Sequence, residues 1–392
     1  MNERSKIAQG FYVFVAGLSS GYALMPIYPS YILLTVAIAT LFICTNLRVV
    51  RTNFLISVFL FVVFFIGCIT SIQSIGNLTA VIKLQIVVLF SFVVVSTVKY
   101  ERFVSLYITF MLIVSIVSLV LYTLVNFFDF NIHSYLPIIY NENDMGYYNG
   151  FVFFIFSSEY IQYRNTGFFW EPGIFSSYLT LAILLTKHVS LKRDLLITVI
   201  LSLAVFSTYS TAGYILLLLA LLAKFSSGFK TKVFILLFTF FSIIFIYLMS
   251  SEVIEFTRAY FPEVTNKFFV SESASIIDRV QSPIINLQAF LNNPMFGVGL
   301  NELNQIYLEK GDYAQSSTMT YYFGAFGVLG AFYTIMLLAG TVFTKFEKFD
   351  NFNGIIAFIM MLIILNKEPH MFFCFTYILI FYWSLKNVKE YK

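Results

Sequence analysis

The sequence predicts an all-α integral membrane protein: a single polytopic domain over residues 1–392, with about twelve transmembrane helices and two long loops on the outer side. Three observations predict it. Charged residues are 11% of the chain and hydrophobic ones 59%, against about 25% charged in soluble proteins, so water cannot be the main solvent. Apolar runs recur at about 15–25 residues, the length that crosses a hydrocarbon core. Basic residues also sort by side. With the N-terminus placed in the cytoplasm, 17 of the 24 Lys and Arg fall on cytoplasmic segments, six on outer ones, and only Lys83 within a span. Of the 20 acidic residues, 14 fall outside. The net charge of +4 therefore reflects topology and gives no support for nucleic-acid binding.

The first spans are predicted near 7–25, 28–46, 54–72, 78–98 and 103–125. The first apolar run follows Asn2-Glu3-Arg4-Ser5-Lys6 and reads as an uncleaved helix, given the number of spans after it. The first outer loop covers 126–166 and is rich in Asn, Asp and Tyr; its apolar patch Gly150–Phe156 is too short to cross and is expected to lie in the membrane interface. Spans near 167–186, 194–209, 212–225 and 233–250 follow. The second outer loop covers 251–317. Within it SASIIDRVQSPIINLQAFL (273–291) sets Ile276, Val280, Ile284, Leu287 and Leu291 at helical spacing, which predicts an amphipathic helix laid on the membrane surface or on the bundle. Asn292-Asn293-Pro294 stops it, and Gly297-Val298-Gly299 forms a turn. The last spans are placed near 318–343, 354–366 and 369–385, with the C-terminus cytoplasmic. Two large loops on one side of a tightly connected bundle mark that side as the working one.

Cys44, Cys68 and Cys374 all fall in apolar runs without disulfide or metal spacing and read as packing residues. No HExxH, CxxC, GxxxxGK[ST] or GxGxxG pattern occurs, so the sequence predicts neither a metal nor a nucleotide cofactor.

The polar residues near the apolar segments are the candidates for chemistry. Arg164 and Glu171 share the stretch RNTGFFWEPG at the mouth of a span. A helix beginning before Arg164 would put both on one face; one beginning later leaves Arg164 in the loop above, and Pro172 suits a first turn that starts at Trp170 or Glu171. The pair is either a substrate-facing device or a structural ion pair. Arg279 is either a solvated residue of the amphipathic helix or an anion clamp, since a guanidinium stays charged near lipid and binds phosphate through paired hydrogen bonds. Lys83 can snorkel or pair near the outer end of its span. His133 and His370 are the outer-side histidines; His370, in Asn366-Lys367-Glu368-Pro369-His370, is a candidate base or substrate contact, or a plain polar residue.

Three stretches together resemble the O-antigen polymerase and ligase family, integral membrane glycosyltransferases of bacterial surface polysaccharide. Residues 164–172 are similar to its R-x-x-G-x-F-x-E-P stretch. Ser207-Thr208-Tyr209-Ser210-Thr211-Ala212-Gly213 resembles T-x-S-R-x-G, with Thr211 where arginine is usual. Arg279, followed by Asn293-Pro294-Met295-Phe296-Gly297-Val298-Gly299, resembles R…P-[LM]-F-G-[VI]-G of the large outer loop. The ligase pattern H-[NSQ], nine residues, G-x-x-[GTY], counted back from Gly327 and Gly330, falls on Ser316-Ser317, so its histidine is missing and the likeness is to the polymerase.

The resemblance implies a polymerase in the bacterial inner membrane that joins oligosaccharide repeat units carried on undecaprenyl diphosphate, at the periplasmic face. Its partners would be that lipid-linked oligosaccharide, the bilayer and, as a candidate, a chain-length regulator protein. Arg164 and Arg279 would bind diphosphate, Glu171 would orient the acceptor or Arg164, and Lys83 and His370 would be accessory contacts. A lipid-linked oligosaccharide flippase or other transporter is the alternative, for which half-to-half symmetry and broken helices would be expected. A membrane scaffold would leave the outer arginines without a role.

Overall fold

A computed structural model describes residues 3–23, 62, 75–128, 130–140, 146–156, 164–186, 194–225, 274–310, 315–343, 351–367, 370 and 373–385. Most of these are helical. Their α-helices are α1 (Glu3–Leu18), α2 (Ile75–Thr97), α3 (Tyr100–Phe127), α4 (Pro172–Leu185), α5 (Asp194–Ser207), α6 (Thr211–Phe225), α7 (Ala274–Asn292), α8 (Leu300–Glu309), α9 (Thr318–Phe343), α10 (Asn351–Lys367) and α11 (Cys374–Leu385). Among the described residues, α3 is the helix long and apolar enough to cross a membrane. At 14 residues each, α4 and α5 rise about 21 Å, short of a hydrocarbon core of about 30 Å. The segments expected at 28–46, 54–72 and 233–250 lie outside the described residues, as do residues 251–273 of the second large loop, apart from Val62 in the second of those spans. Cys44 and Cys68 fall in these segments; Cys374 is buried at the head of α11.

The bundle is built around α4, buried along its whole length from Pro172 to Leu185. It packs against α6, α5, α3 and α10. Small residues make the closest approach possible: a Cβ on Gly213 of α6 would lie 2.7 Å from Cβ and Oγ of Ser176 on α4. The outward faces are apolar. Helix α3 exposes Ile113, Ile116 and Val120 while burying Ser115 and Ser118. Helix α5 exposes Leu195, Leu196, Val199, Leu203 and Phe206 while burying Thr198 and Ser207. These two helices present apolar faces outward, while their buried faces combine Ser and Thr with apolar residues such as Met111, Val114, Leu201 and Val205.

Three expectations are corrected. Helix α3 runs on to Phe127, and the region after it is not a plain loop: Ile138–Tyr140 (β1), Gly146–Asn149 (β2) and Phe154–Phe156 (β3) form an antiparallel sheet in the order β1-β2-β3. The fold is thus mostly, not wholly, helical. The patch Gly150–Phe156 is only partly a surface feature: Phe151 is exposed, but Phe153, Phe154 and Ile155 are buried as β3 joins the sheet. Helix α7 forms as expected; its stripe Ile284, Leu287 and Leu291 is exposed instead of packed on the bundle, while Ser282, Ile285, Asn286 and Ala289 are buried. Ser282 and Asn286 turn inward because they have partners there. Ser282 Oγ meets Tyr307 Oη (2.7 Å) and accepts from the Ser316 and Ser317 amides; Asn286 Nδ2 donates to Thr320 Oγ1 (2.9 Å) and its Oδ1 accepts from Tyr307 (2.8 Å). Finally, the last helix begins at Cys374 instead of 369, which leaves His370 between α10 and α11.

Helix α9 is broken at Gly327, whose φ is +63°. The segment 294–299 fills the break. Val328 N donates to Pro294 O (2.8 Å), Val298 N to Gly324 O (2.9 Å) and Gly299 N to Ala325 O (3.0 Å), so the backbone groups freed by the kink are paired again. This gives Pro294-Met295-Phe296-Gly297-Val298-Gly299 a structural role.

Candidate functional site

The stretch Arg164–Pro172 is held from three sides. Arg164 Nε donates to Thr208 O (2.9 Å), in the turn between α5 and α6. Asn165 is buried and fully used: its amide N donates to Ser207 O (2.9 Å), its Nδ2 to Ser207 Oγ (2.9 Å) and Ser118 Oγ (3.2 Å), and its Oδ1 accepts from Gly167 N (2.9 Å). Thr166 Oγ1 donates to Phe154 O (2.9 Å), and Phe154 N returns a bond to Gly167 O (2.8 Å), which ties the stretch to the sheet. Gly167 adopts φ +56° with the Phe175 ring within 3.1 Å of where a Cβ would stand, so a side chain there meets both strain and a clash. Phe168 and Phe169 are buried, and the Trp170 amide reaches Gly21 O (3.0 Å).

Helix α4 then starts with Glu171 as N-cap residue and Pro172 at its first position, where a missing N–H costs nothing. Of the two geometries open in the sequence, Arg164 therefore lies in the loop above the helix. Glu171 is half-buried and its carboxylate does not cap the helix. Among the described residues the ion pair is Lys224–Asp194, so Arg164 and Glu171 are not joined by one. The arginine is held by a carbonyl, and the carboxylate is left for other use.

A residue that sequence reasoning passed over stands beside this loop. Lys367, the last residue of α10, is 5% exposed, and its Nζ donates to Gly173 O (3.0 Å), Ser176 Oγ (3.3 Å) and Ser210 Oγ (2.8 Å). Ser210 also accepts from Gly213 N (3.2 Å) at the head of α6. The sequence did carry a signal: Lys367 follows a span on the side where lysines are scarce. Lys367 thus brings a cation from the end of α10 to the head of α6.

His370 is 1% exposed, and its amide N donates to Thr318 Oγ1 (2.6 Å) at the head of α9. Neither ring nitrogen has a partner among the described residues. Standing outside both flanking helices, it is pushed down from 6.5 to about 3 by burial and, second, by Lys367, so the ring is neutral and a poor base near pH 7. That favours the contact role over the base. His133 stacks on Tyr148 in the first loop (5.0 Å) and burial lowers its pKa.

Arg279 belongs to α7, seven residues or two turns before Asn286, and its side chain lies outside the described residues. The network of Ser282, Asn286, Tyr307, Ser317 and Thr320 fixes α7 to the head of α9, the same head that meets His370. The structure thus ties Lys367 to the head of α4, two residues past Glu171, and to the turn that holds Arg164, and ties His370 and the helix of Arg279 to the head of α9. Lys83 is half-buried on α2, which packs chiefly against α11, α1 and α8. No group of His, Cys, Asp and Glu able to hold a metal occurs among the described residues. No protein-family model matches the chain, and no curated protein matches it.

Proposed function

We propose that the chain is a polytopic membrane glycosyltransferase that polymerises lipid-diphosphate-linked oligosaccharide units, with the heads of α4 and α6 and the end of α10 forming its reaction site at the periplasmic face. The apolar outward faces of α3 and α5 support the bilayer as its solvent, and in this reading the short helices belong to about twelve spans. The observation that carries the reading is Glu171. It opens a wholly buried helix, in a stretch where Asn165 and Thr166 are committed to the fold, and its own carboxylate is not bonded among the described residues.

In this reading Glu171 accepts the proton of the acceptor hydroxyl as that oxygen bonds to the donor's anomeric carbon. The bond from that carbon to the diphosphate oxygen breaks, and the electron pair leaves with the diphosphate. Arg164 and Arg279 meet the charge that develops there, which requires no metal. Lys83 and His370 are accessory contacts to the substrate.

The test is a deletion strain complemented with correctly inserted Arg164→Ala and Arg279→Ala variants. Polymer is expected to disappear while single repeat units still reach the surface. Full-length polymer from both variants would overturn the assignment; loss of the surface single units would point to a flippase.

A further inference from the structure

Lys367 is used by no step above, yet its position is specific. Its ammonium donates to Gly173 O, two residues beyond Glu171, and to Ser210 Oγ, two residues beyond Thr208, whose carbonyl holds Arg164. One buried group therefore joins the segment that carries Glu171 to the turn that holds Arg164. Ser176 Oγ is a third acceptor, so each N–H of the ammonium has an oxygen to meet. The other end of the same helix pair has a matching device. Lys224 of α6 donates to Thr186 Oγ1 at the end of α4, to Asp194 Oδ1 (2.6 Å) and to Thr198 Oγ1 (2.6 Å) on α5. Both lysines tie helices together, but only Lys367 stands between the two groups that the reaction uses.

We infer that Lys367 is a positioning residue: by bridging Gly173, Ser176 and Ser210 it sets the separation of the Glu171 carboxylate and the Arg164 guanidinium. This rests on the glycosyltransferase reading. Proton removal and stabilisation of the leaving diphosphate must act on one substrate at once, and misplacement by about 1 Å can cost about 100-fold in rate. A lysine suits the task because its three donors span two helices from a third, and the close α4–α6 contact at Gly213 keeps the acceptors within reach.

The experiment uses the purified full chain in lipid bilayers with a lipid-diphosphate-linked repeat unit, measuring kcat and KM per folded molecule. Lys367→Met is expected to lower kcat about 10- to 100-fold with KM little changed, the mark of an interaction that matters in the transition state. Ser210→Ala, which keeps the lysine and removes one acceptor, should lower kcat less, and the double variant should be no worse than Lys367→Met alone. Lys224→Met, at the far end, should lower thermal stability but leave kcat unchanged. If Lys367→Met does not fold, Ser210→Ala decides. Wild-type kcat in Ser210→Ala and in any folded Lys367→Met, or additive losses in the double variant, overturns the inference. An impaired Arg164→Ala beside an unimpaired Lys367→Met sinks the positioning role alone; an unimpaired Arg164→Ala sinks the glycosyltransferase reading and the positioning role with it.

Discussion

Within Arg164–Pro172, neighbouring side chains do different work. Asn165 is a structural residue, because its amide closes hydrogen bonds to Ser118, Ser207 and Gly167 in a fully buried position. Asn165→Ala should destabilise the protein by about 2–3 kcal/mol, since each buried bond is worth about 1 kcal/mol net. Glu171 is the opposite case. Its carboxylate caps nothing and pairs with neither Arg164 nor Lys224, so Glu171→Gln should leave the melting temperature unchanged. Its turnover should fall by about 100-fold or more, the usual range for a lost general base. A stable, fully active Glu171→Gln protein would remove the carboxylate from the mechanism.

At the scale of elements, the break in α9 and the segment after α7 make each other possible. A helix interrupted in an apolar environment leaves backbone groups that must be paired, and residues 294–299 pair them. The approach is so close that a Cβ on Gly297 would stand 2.4 Å from the Ala325 carbonyl carbon, and one on Gly327 would stand 2.5 Å from Pro294 O. Both glycines also have positive φ, +70° and +63°. Gly297→Ala and Gly327→Ala should each cost about 1–3 kcal/mol for the backbone conformation alone, with the clash in addition. The expected result is a lower melting temperature or loss of inserted protein; wild-type stability in both would show that the two segments do not depend on each other. The same packing explains why α7 faces inward with Ser282 and Asn286: through them it reaches Tyr307 and Thr320.

For the whole molecule, the proposed membrane setting and the apolar outward faces of α3 and α5 make a direct prediction. Cysteines placed at Ile116 and Leu203, exposed on α3 and α5, should resist a membrane-impermeant maleimide in intact membranes and react once detergent is added. A cysteine at Tyr140, exposed on β1 in the first outer loop, should react from the outside without detergent. Rapid labelling at Leu203 in intact membranes would contradict a lipid-facing α5. The helices at 75–97, 100–127 and 211–225 were legible in the sequence, because long apolar runs at 78–98, 103–125 and 212–225 mark helices. The start of α4 was legible too, since Pro172 is tolerated at a first turn and not in the interior. Other features were not. The stripe of α7 showed which residues were apolar but not that polar partners on α8 and α9 would claim the opposite face. Phe153–Phe156 looked like interfacial mass because sheet pairing depends on strands distant along the chain. Sequence alone determined that Arg164 and Glu171 stand at the mouth of an apolar helix. Only the tertiary structure decided that Arg164 is held by Thr208, that the Glu171 carboxylate is not spent on the helix it opens, and that Lys367 joins their supports, because a hydrogen bond depends on which oxygens folding brings within about 3 Å of a donor.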